Sequence, residues 1–400
     1  MDFAIFDADQ LYYEPEDAFT RYAGKRMTAE RYVRWIAEAD GRRRRLLVGG
    51  QVANTIGNPT FNPITKPGVF HETLKKLSTG MDRGAEAYGE LVPIDPTYRD
   101  RKVRLATMDA QGVERIMLFP TLGVTMEGFL DNDVEILYEA FHAFNRWLQD
   151  DWGFAHQDRI YGVPYIAMLD RDRAITELEW LLKEGARVIT VRPGAAYGRS
   201  PADPYFDPFW ARVNEAGVLV TYHAFDGPSL ASRAFRQQWA APPQPYRLED
   251  VILERAIASN DNAIMDTLTA LILHNLFGRF PKIRVATIEL GSSWVPYLLH
   301  RLDHIGGGGM TSRRITAFGE TLKDRPSEIF RRKIWVSPWP EENVPNLAKI
   351  IGVDHVLMGS DWPHAEGIYQ PRDYAQCLAG LDQKSVKRIM RDNALELVAA

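Results

Sequence analysis

The chain has 400 residues, of which 45% are hydrophobic and 25% are charged. This length exceeds an ordinary single domain but suits one α/β barrel with insertions, and the apolar content is ample for a core. A net charge of −5, with both signs mixed along the chain, creates no field that would attract nucleic acid or an anionic membrane, so neither is expected as a partner.

Cysteine content and the chain start bear on the compartment. The single cysteine, Cys377, excludes an intrachain disulfide and a cysteine-rich zinc site, and it fits a reducing compartment. The first ten residues are too short and too acidic for a signal peptide, and no apolar run reaches membrane-spanning length. We therefore expect a cytoplasmic protein. As a separate expectation, the protein forms a homodimer or a higher homo-oligomer. The basic run 42–45 is expected to be a solvated helix end or an intersubunit salt-bridge patch rather than a polyanion site.

The first predicted element is a short strand at 4–6 that runs directly into Asp7 and Asp9. Alternate residues of a strand point to the same face, so the two carboxylates are expected to emerge together. The alternative is that Asp7 caps a turn and Asp9 is solvated.

Residues 14–104 show no regular alternation of strand and helix. They include a predicted polar helix at 29–45 and a stretch rich in turn-forming residues at 57–64. Such a segment is usually either a lid over a site or disordered, and its apolar and aromatic content favours a lid-like insertion.

From residue 104 onwards helices and strands alternate regularly, which predicts a (β/α)8 TIM-like barrel within a single domain, 1–400. Further insertions are predicted at 226–250 and 304–323, and a C-terminal amphipathic helix at 385–399 is expected to pack back on the barrel. After the strand at 4–6, the predicted strands are 115–120, 160–167, 186–192, 218–223, 283–289, 334–337 and the apolar run beginning at 356; the predicted helices are 103–111, 133–152, 173–183, 206–216, 266–277, 329–333 and 344–351.

Polar side chains stand at the predicted carboxyl ends of several strands, where barrel enzymes keep their chemistry. Asp9, His223 and Asp361 are expected to converge at one mouth. Carboxylate and imidazole ligands together suit a divalent cation, and an oxygen-rich set leans toward the harder metals. Other strand-end polar residues are Asp7, Arg192, Glu289 and Ser337.

Several short motifs, taken together, resemble a known family. They are residues 9–15, the YHAF segment around His223, ELGSSWVP at 289–296, GSDWP at 359–363 and Asn393-Ala394. Their order and spacing resemble the amidohydrolase superfamily, and more narrowly its amidohydrolase-2 branch, which includes the aminocarboxymuconate-semialdehyde, γ-resorcylate and 5-carboxyvanillate decarboxylases. The resemblance spans nearly the whole chain and implies a (β/α)8 barrel with one divalent metal at its mouth.

The ligand set implied by this resemblance is present only in part. The family usually has a His-x-His or Glu-x-His pair after strand 1, a histidine on strand 5, often a histidine near strand 6, and an aspartate on strand 8. His223 and Asp361 match outright and Asp9 can replace the first ligand, but Leu11 cannot bind a metal. Leu290 stands at the usual strand-6 histidine. The neighbouring residue, Glu289, is therefore the candidate substitute for the catalytic proton shuttle.

The resemblance implies a metal-dependent enzyme, and we expect a non-oxidative decarboxylase of a carboxylated aromatic or enol-bearing small molecule. One ion, manganese or zinc, is expected on Asp9, His223 and Asp361, with Asp361 also a candidate acid or base. A site with one imidazole and several carboxylates favours orienting and neutralising a substrate over generating a hydroxide. Two alternatives stay open. One is hydrolysis of an amide, lactone or carbon–carbon bond by metal-activated water; the other is a non-catalytic ligand-binding barrel, which Leu11 and Leu290 support.

Other residues are candidates for substrate contact. Arg192 would clamp a carboxylate if it faces the barrel lumen, and His364 would donate a hydrogen bond from the rim. For each, the alternative is a salt bridge to a helix or a solvated loop. Aromatic residues available to line a pocket for a flat apolar body, or simply to pack a core, are Tyr12, Tyr13, Phe61, Phe70 and Trp294.

Overall fold

The computed structural model describes residues 1–25, 27–28, 32–37, 44–53, 61–70, 91–225, 229–239, 259–306 and 322–399. Within these ranges the strands are β1 (Ile5–Tyr12), β2 (Arg34–Ala37), β3 (Arg44–Val48), β4 (Gln51–Val52), β5 (Ile64–Thr65), β6 (Leu91–Val92), β7 (Val113–Pro120), β8 (Ile160–Gly162), β9 (Val188–Thr190), β10 (Leu219–His223), β11 (Val285–Ile288) and β12 (Ile334–Val336).

Helices fill most of the connections between these strands. They are α1 (Arg101–Gln111), α2 (Gly123–Leu130), α3 (Val134–Asp151), α4 (Arg171–Lys183), α5 (Asp207–Ala216), α6 (Leu230–Trp239), α7 (Asn260–Leu273), α8 (Leu276–Arg279), α9 (Val295–Gly306), α10 (Pro326–Lys333), α11 (Val344–Ile351), α12 (Gln383–Lys387) and α13 (Asn393–Ala399), with a π-helical turn (Arg388–Asp392) between the last two.

The parallel strands form a (β/α)8 barrel, as the sequence predicts. β1, β7 and β8 pair in that order, and β9 to β12 form a second parallel run. A bridge between Tyr165 and Thr190 joins the two runs. On the other side, the segment 356–358 acts as the eighth strand, because Leu357 N donates to Val336 O and Ala8 N donates to Met358 O, each at 2.9 Å.

Side-chain alternation along the strands separates two cores. One set of alternate residues fills the lumen, while the neighbouring residues face the helices. Leu397 and Val398 of α13 pack on the lumen cluster. The Leu397 carbonyl accepts a hydrogen bond from Arg284, just before β11, so this helix lies at the amino-terminal end of the strands. The opposite, carboxyl-terminal mouth is therefore the end available for a site. The lumen cluster includes Phe6, Ala8, Met117, Phe119, Tyr161, Val163, Val188, Leu219, Ala286, Ile288 and Leu357.

The predicted helix at 29–45 is wrong for the described part of that segment. β2 and β3 instead pair antiparallel, with Arg34 opposite Leu47 and Trp35 opposite Leu46. The buried side chains of Leu46 and Val48 make this pairing more favourable than an isolated polar helix. Arg44, at the exposed start of β3, forms an ion pair with Glu16.

Other parts of the insertion approach the barrel mouth. Gly68 N donates to His364 O at 3.0 Å, and Phe70 N donates to Ala365 O at 2.7 Å, so the segment 61–70 is joined to the loop after the eighth strand. Of the turn-rich stretch, residues 57–60 lie outside the described residues.

Three helices, α2, α6 and α9 (Val295–Gly306), are not among those predicted from the sequence. α2 was not predicted; its first N–H groups are bound by the buried Glu14 carboxylate, which accepts from Leu122 N and Gly123 N at 2.8 to 3.0 Å. α6 lies within the predicted loop at 226–250, the rest of which is largely outside the described residues. In the described part of the chain, no helix combines the length and apolarity needed to span a membrane.

Candidate metal-binding active site

Four strands bring acidic and imidazole side chains to the barrel mouth. His223 is the last residue of β10, and Glu289 immediately follows β11. Asp9 lies inside β1, which extends to Tyr12, rather than after the strand as predicted. Glu289 and Asp361 have left-handed backbones, with φ of 55° and 57°, which turn the chain sharply at both positions.

His223 is oriented by its own backbone neighbour. Its Nδ1 lies 2.8 Å from the Ala224 carbonyl, and a carbonyl only accepts, so Nδ1 carries the proton. In the neutral ring Nε2 therefore presents a lone pair, 3.2 Å from Glu289 Oε2 and 3.6 Å from Asp9 Oδ1. A backbone-bonded Nδ1–H and a free Nε2 are the arrangement of a metal-ligating histidine.

A second pair lies beside the first. His364 Nδ1 is 2.9 Å from Asp361 Oδ1, and His364 Nε2 is 3.0 Å from the Thr121 hydroxyl. Since Thr121 donates its hydrogen to the Tyr12 carbonyl at 2.8 Å, it can only accept from His364. A neutral His364 then turns a lone pair toward Asp361, which requires a proton or a cation between the two atoms.

The donor atoms fit a divalent cation. Asp9 Oδ1, His223 Nε2, Asp361 Oδ1 and His364 Nδ1 are buried, and apart from the close approaches within the cluster none of them has a hydrogen-bond partner among the described residues. Asp9, His223 and Glu289 each offer a ligand atom within 4.8 Å of the others, and so do Glu289, Asp361, His364 and Glu366. The predicted trio is thus divided between two overlapping groups that share Glu289. Buried polar atoms without partners are costly, and a cation would satisfy them.

Burial and mutual repulsion shift the acid–base properties of these groups. Burial and the neighbouring Asp361 raise the pKa of Glu289 well above its ordinary range. Burial, Glu366 and Asp9 do the same for the pKa of Asp361. Burial lowers the pKa of His223, but Glu289 and Asp9 outweigh it and raise that pKa overall. The raised pKa values favour the protonated forms in the absence of a cation, and a bound cation would displace protons from the groups that ligate it.

A cavity of about 760 Å³ opens above this cluster. His223, Glu289 and His364 lie at its floor, and Leu11 faces it. The predicted aromatic residues Tyr13, Phe61 and Phe70 lie on its wall, two of them from the described part of the 14–104 insertion. Residues on this wall that the sequence did not single out include Glu366, Thr121, Phe225 and Trp339. Of these, only Glu366 could have been inferred from the sequence, because it follows Asp361 by five residues on the same loop.

Tyr12 and Trp294 do not line the cavity. Tyr12 points from β1 into the helix layer, with its ring centroid 5.3 Å from that of Trp147 and 5.7 Å from that of Trp152, because the preceding residue, Leu11, takes the lumen side. Trp294 is buried, and its Nε1 donates to the Leu290 carbonyl at 3.0 Å.

Asp7 and Arg192 also lie away from the cluster. Asp7 turns back on β1 and the Ser360 backbone, at an irregularity in the pairing of β1 with β7. Arg192 follows β9, which ends at Thr190, and it lines a second cavity beside Glu127. Because strand alternation no longer applies beyond Thr190, the sequence could not fix the side toward which Arg192 points.

Comparisons with known proteins agree with the fold. A family model described as Amidohydrolase matches residues 92–399. The crystal structure of an amidohydrolase from Mycobacterium avium subspecies paratuberculosis is 34% identical, covers 100% of both chains and has a TM-score of 0.88. No curated protein matches the chain. The chain therefore belongs to the amidohydrolase family, whose membership supports a metal-dependent enzyme.

More distant structures share the fold. 5-Carboxyvanillate decarboxylase from Novosphingobium aromaticivorans, with bound manganese and 3-methoxy-4-hydroxy-5-nitrobenzoic acid, is 19% identical over 74% of this chain and 80% of that one, with a TM-score of 0.56. A dihydroxybenzoic acid decarboxylase from Polaromonas sp. JS666, with manganese and 2-nitroresorcinol, is 20% identical over 82% and 93%, with a TM-score of 0.55.

Proposed function

We propose that this protein is a metal-dependent decarboxylase that removes CO2 from a carboxylated aromatic or enol-bearing small molecule. The observation that carries the proposal is the set of buried, unpartnered ligand atoms on Asp9, His223, Asp361 and His364 around Glu289. Manganese or zinc suits this mixture of carboxylates and imidazoles. The manganese-containing decarboxylases that share the fold support the same choice.

Asp9 and His223 would hold the cation, with Asp361 completing the set. When bound, the cation would neutralise the substrate's carboxylate and an adjacent oxygen and fix their orientation. This role matters here because the mouth carries four carboxyl groups, on Asp9, Glu289, Asp361 and Glu366, and each of them that is ionised would repel an anionic substrate.

Glu289 is the proposed proton donor. Burial and the neighbouring Asp361 raise its pKa, which favours the protonated form, and it lies on the cavity wall. In the reaction, the Glu289 proton is delivered to the substrate carbon that bears the carboxylate. The bond to that carboxylate then breaks, its electron pair restores the double bond, and CO2 leaves.

The cavity walls fit a flat substrate. Tyr13, Phe61 and Phe70 supply apolar surface opposite the acidic floor. His364 also lies on the cavity wall, with Nε2 bound to Thr121 and Nδ1 directed at Asp361. Apolar walls keep water from the reacting carbon, which favours protonation and loss of CO2 over attack by water.

Metal analysis together with a screen of carboxylated phenols tests this proposal. We expect about one equivalent of divalent metal and release of CO2 from at least one hydroxybenzoate, both abolished by Asp9→Asn. Metal-dependent turnover with uptake of water and no CO2 would favour a hydrolase, and metal-free protein without turnover would favour a ligand-binding barrel.

A further inference from the structure

A second cavity, of about 450 Å³, lies next to the first, outside the barrel strands. Phe225, Ser229 and Ser259 belong to the walls of both cavities, so the two adjoin. Its volume is within the range of small-molecule sites. None of the residues discussed as metal ligands lines it.

Buried apolar side chains form much of this second cavity. Met168, Val191 and Trp210 lie on its wall, each less than a tenth exposed. Trp210 Nε1 is already satisfied, because it donates to the Pro201 carbonyl at 2.7 Å. These surfaces suit a flat apolar body.

One polar atom on the wall has no partner. Tyr222 is 1% exposed, and its hydroxyl has no hydrogen-bond partner among the described residues. Tyr222 precedes His223 on β10 and therefore points to the opposite side of the strand, into this cavity. A buried phenol without a partner is costly, and a ligand hydroxyl or carbonyl would satisfy it.

The charged residues on the wall are Glu127, Arg192 and Asp266. Glu127 accepts hydrogen bonds from the hydroxyls of Tyr165 and Tyr197. Burial lowers the pKa of Arg192, but Glu127 outweighs it and keeps the guanidinium charged. The Arg192 guanidinium carbon lies 4.7 Å from the ring centroid of Phe225. Glu127 compensates Arg192, and the wall carries a second acid, Asp266, so no net positive charge is left to attract a carboxylate and a neutral ligand is favoured.

We propose that the second cavity binds a neutral, flat group carrying a hydroxyl or carbonyl, which hydrogen-bonds to Tyr222. If the proposed function holds, this group is the end of the substrate remote from the carboxylate, reached past Phe225. The substrate would then be larger than a single hydroxybenzoate ring.

Phenol is the probe, titrated by NMR into protein freed of metal by EDTA, with benzoate as the charged comparison. Tyr222→Phe removes only the hydroxyl and should weaken phenol binding about fivefold, the effect of one lost hydrogen bond. Tyr12→Phe is the matched control, because the Tyr12 hydroxyl is also buried and unpartnered but lines neither cavity. It should leave binding unchanged.

Ala263→Phe fills the cavity from α7, opposite Gly194, and should abolish this binding. Equal phenol affinity in wild type and in Tyr222→Phe would overturn the proposal, and so would benzoate binding more tightly than phenol with the same sensitivity to Tyr222→Phe. Tyr222→Phe keeps the shape of the side chain, so the comparison of phenol binding by wild type and by this variant remains valid even if Ala263→Phe fails to fold. The titration needs no metal and no turnover, so it can succeed where the decarboxylase proposal fails.

Discussion

Asp7 and Asp9 are two residues apart on one buried strand, yet their surroundings are opposite. The Asp7 carboxylate accepts hydrogen bonds from Asp9 N, Gln10 Nε2, and both the backbone N–H and the hydroxyl of Ser360. Asp9 Oδ1 is as deeply buried but has no partner among the described residues, and it faces His223.

The network around Asp7 continues into a buried arginine. Arg104 donates to Gln10 Oε1, to the Leu11 carbonyl and to the Thr97 carbonyl at 2.7 to 3.1 Å, and its guanidinium lies over the Trp362 ring. Each donor nitrogen of Gln10 and Arg104 here has a protein acceptor, whereas the cluster around His223 leaves acceptors open. A carboxylate whose acceptor atoms are all hydrogen-bonded, such as Asp7, is structural, whereas buried acceptors without hydrogen bonds indicate a binding site. We call the surroundings of Asp7 the saturated side and the cluster around His223 the open side. The predictions below test this contrast.

The largest effect is expected from removing the imidazole on the open side. His223→Ala should weaken metal binding by roughly a hundredfold or more while the fold survives, because a central ligand is lost at the mouth. Metal content after dialysis and the circular dichroism spectrum measure the two effects. His355→Ala is the control, because His355 Nδ1 also lies 3.0 Å from a backbone carbonyl, that of Ile334. Full metal occupancy in His223→Ala would remove His223 from the site.

Glu289→Gln keeps the shape of the side chain and removes its proton. Turnover should fall roughly a hundredfold, the size of a lost general acid, with metal content nearly unchanged. CO2 release and metal analysis on the same sample measure both. If the metal is lost instead, Glu289 is a ligand, and undiminished turnover would exclude it from the mechanism.

Asp7→Asn and Asp9→Asn should affect stability very differently in the metal-free protein. The Asp7 amide would turn a donor toward the donors of Gln10 and Ser360, which costs about 2 kcal/mol. Asp9→Asn replaces a buried carboxylate whose Oδ1 has no hydrogen bond by a neutral amide, so the free energy of unfolding should stay the same or rise. Urea denaturation in EDTA compares the two variants. Equal losses would mean that Asp9 is as structural as Asp7.

Two buried acids whose carboxylates accept several hydrogen bonds, Glu14 and Asp7, should also make stability depend on pH. Burial raises the pKa of Glu14 from 4.5 to about 7, and that of Asp7 from 3.8 to about 7. At pH values between the ordinary pKa and the raised pKa of each group, the folded protein binds more protons than the unfolded chain. The free energy of unfolding therefore falls as pH rises, and it levels off above about pH 7. The difference in stability between wild type and Glu14→Gln should therefore fall from about pH 4.5 to pH 7. A rise over this interval would contradict the burial argument.

The smallest effect is expected from Leu11→His. Leu11 faces the cavity on the open side, at the place where the resemblance implies a second imidazole. The added ligand should tighten zinc binding about tenfold relative to manganese, because imidazole suits zinc better. Competition between the two metals, measured by calorimetry, is the test. An unchanged preference would show that the side chain at this position does not reach the metal.

Much of the barrel and its mouth could be predicted because strand ends are local features. The apolar runs ending at His223, Glu289 and Asp361 indicate buried strands, and parallel strands place their carboxyl ends together. The Asp9 strand continues to Tyr12, because pairing with β7 and Trp362 extends it beyond its apolar start.

Features that depend on partners distant in sequence were not predictable. β2 and β3 exist because they pair with each other, and the segment 29–45 alone gives no sign of this pairing. The directions of Arg192 and Trp294 are set after their strands have ended, by turns that strand periodicity does not describe. Glu366 reaches the cavity through a loop turn after Asp361, for the same reason.

Anomalous diffraction from wild-type crystals grown with Mn²⁺ tests the central claim most directly. The open acceptors predict a manganese peak in contact with Asp9 and His223 and adjacent to Glu289 and Asp361, and no peak at Asp7. If no anomalous peak appears at the mouth at saturating Mn²⁺, or if the peak lies elsewhere on the chain, the assignment of this cluster as a metal site is wrong.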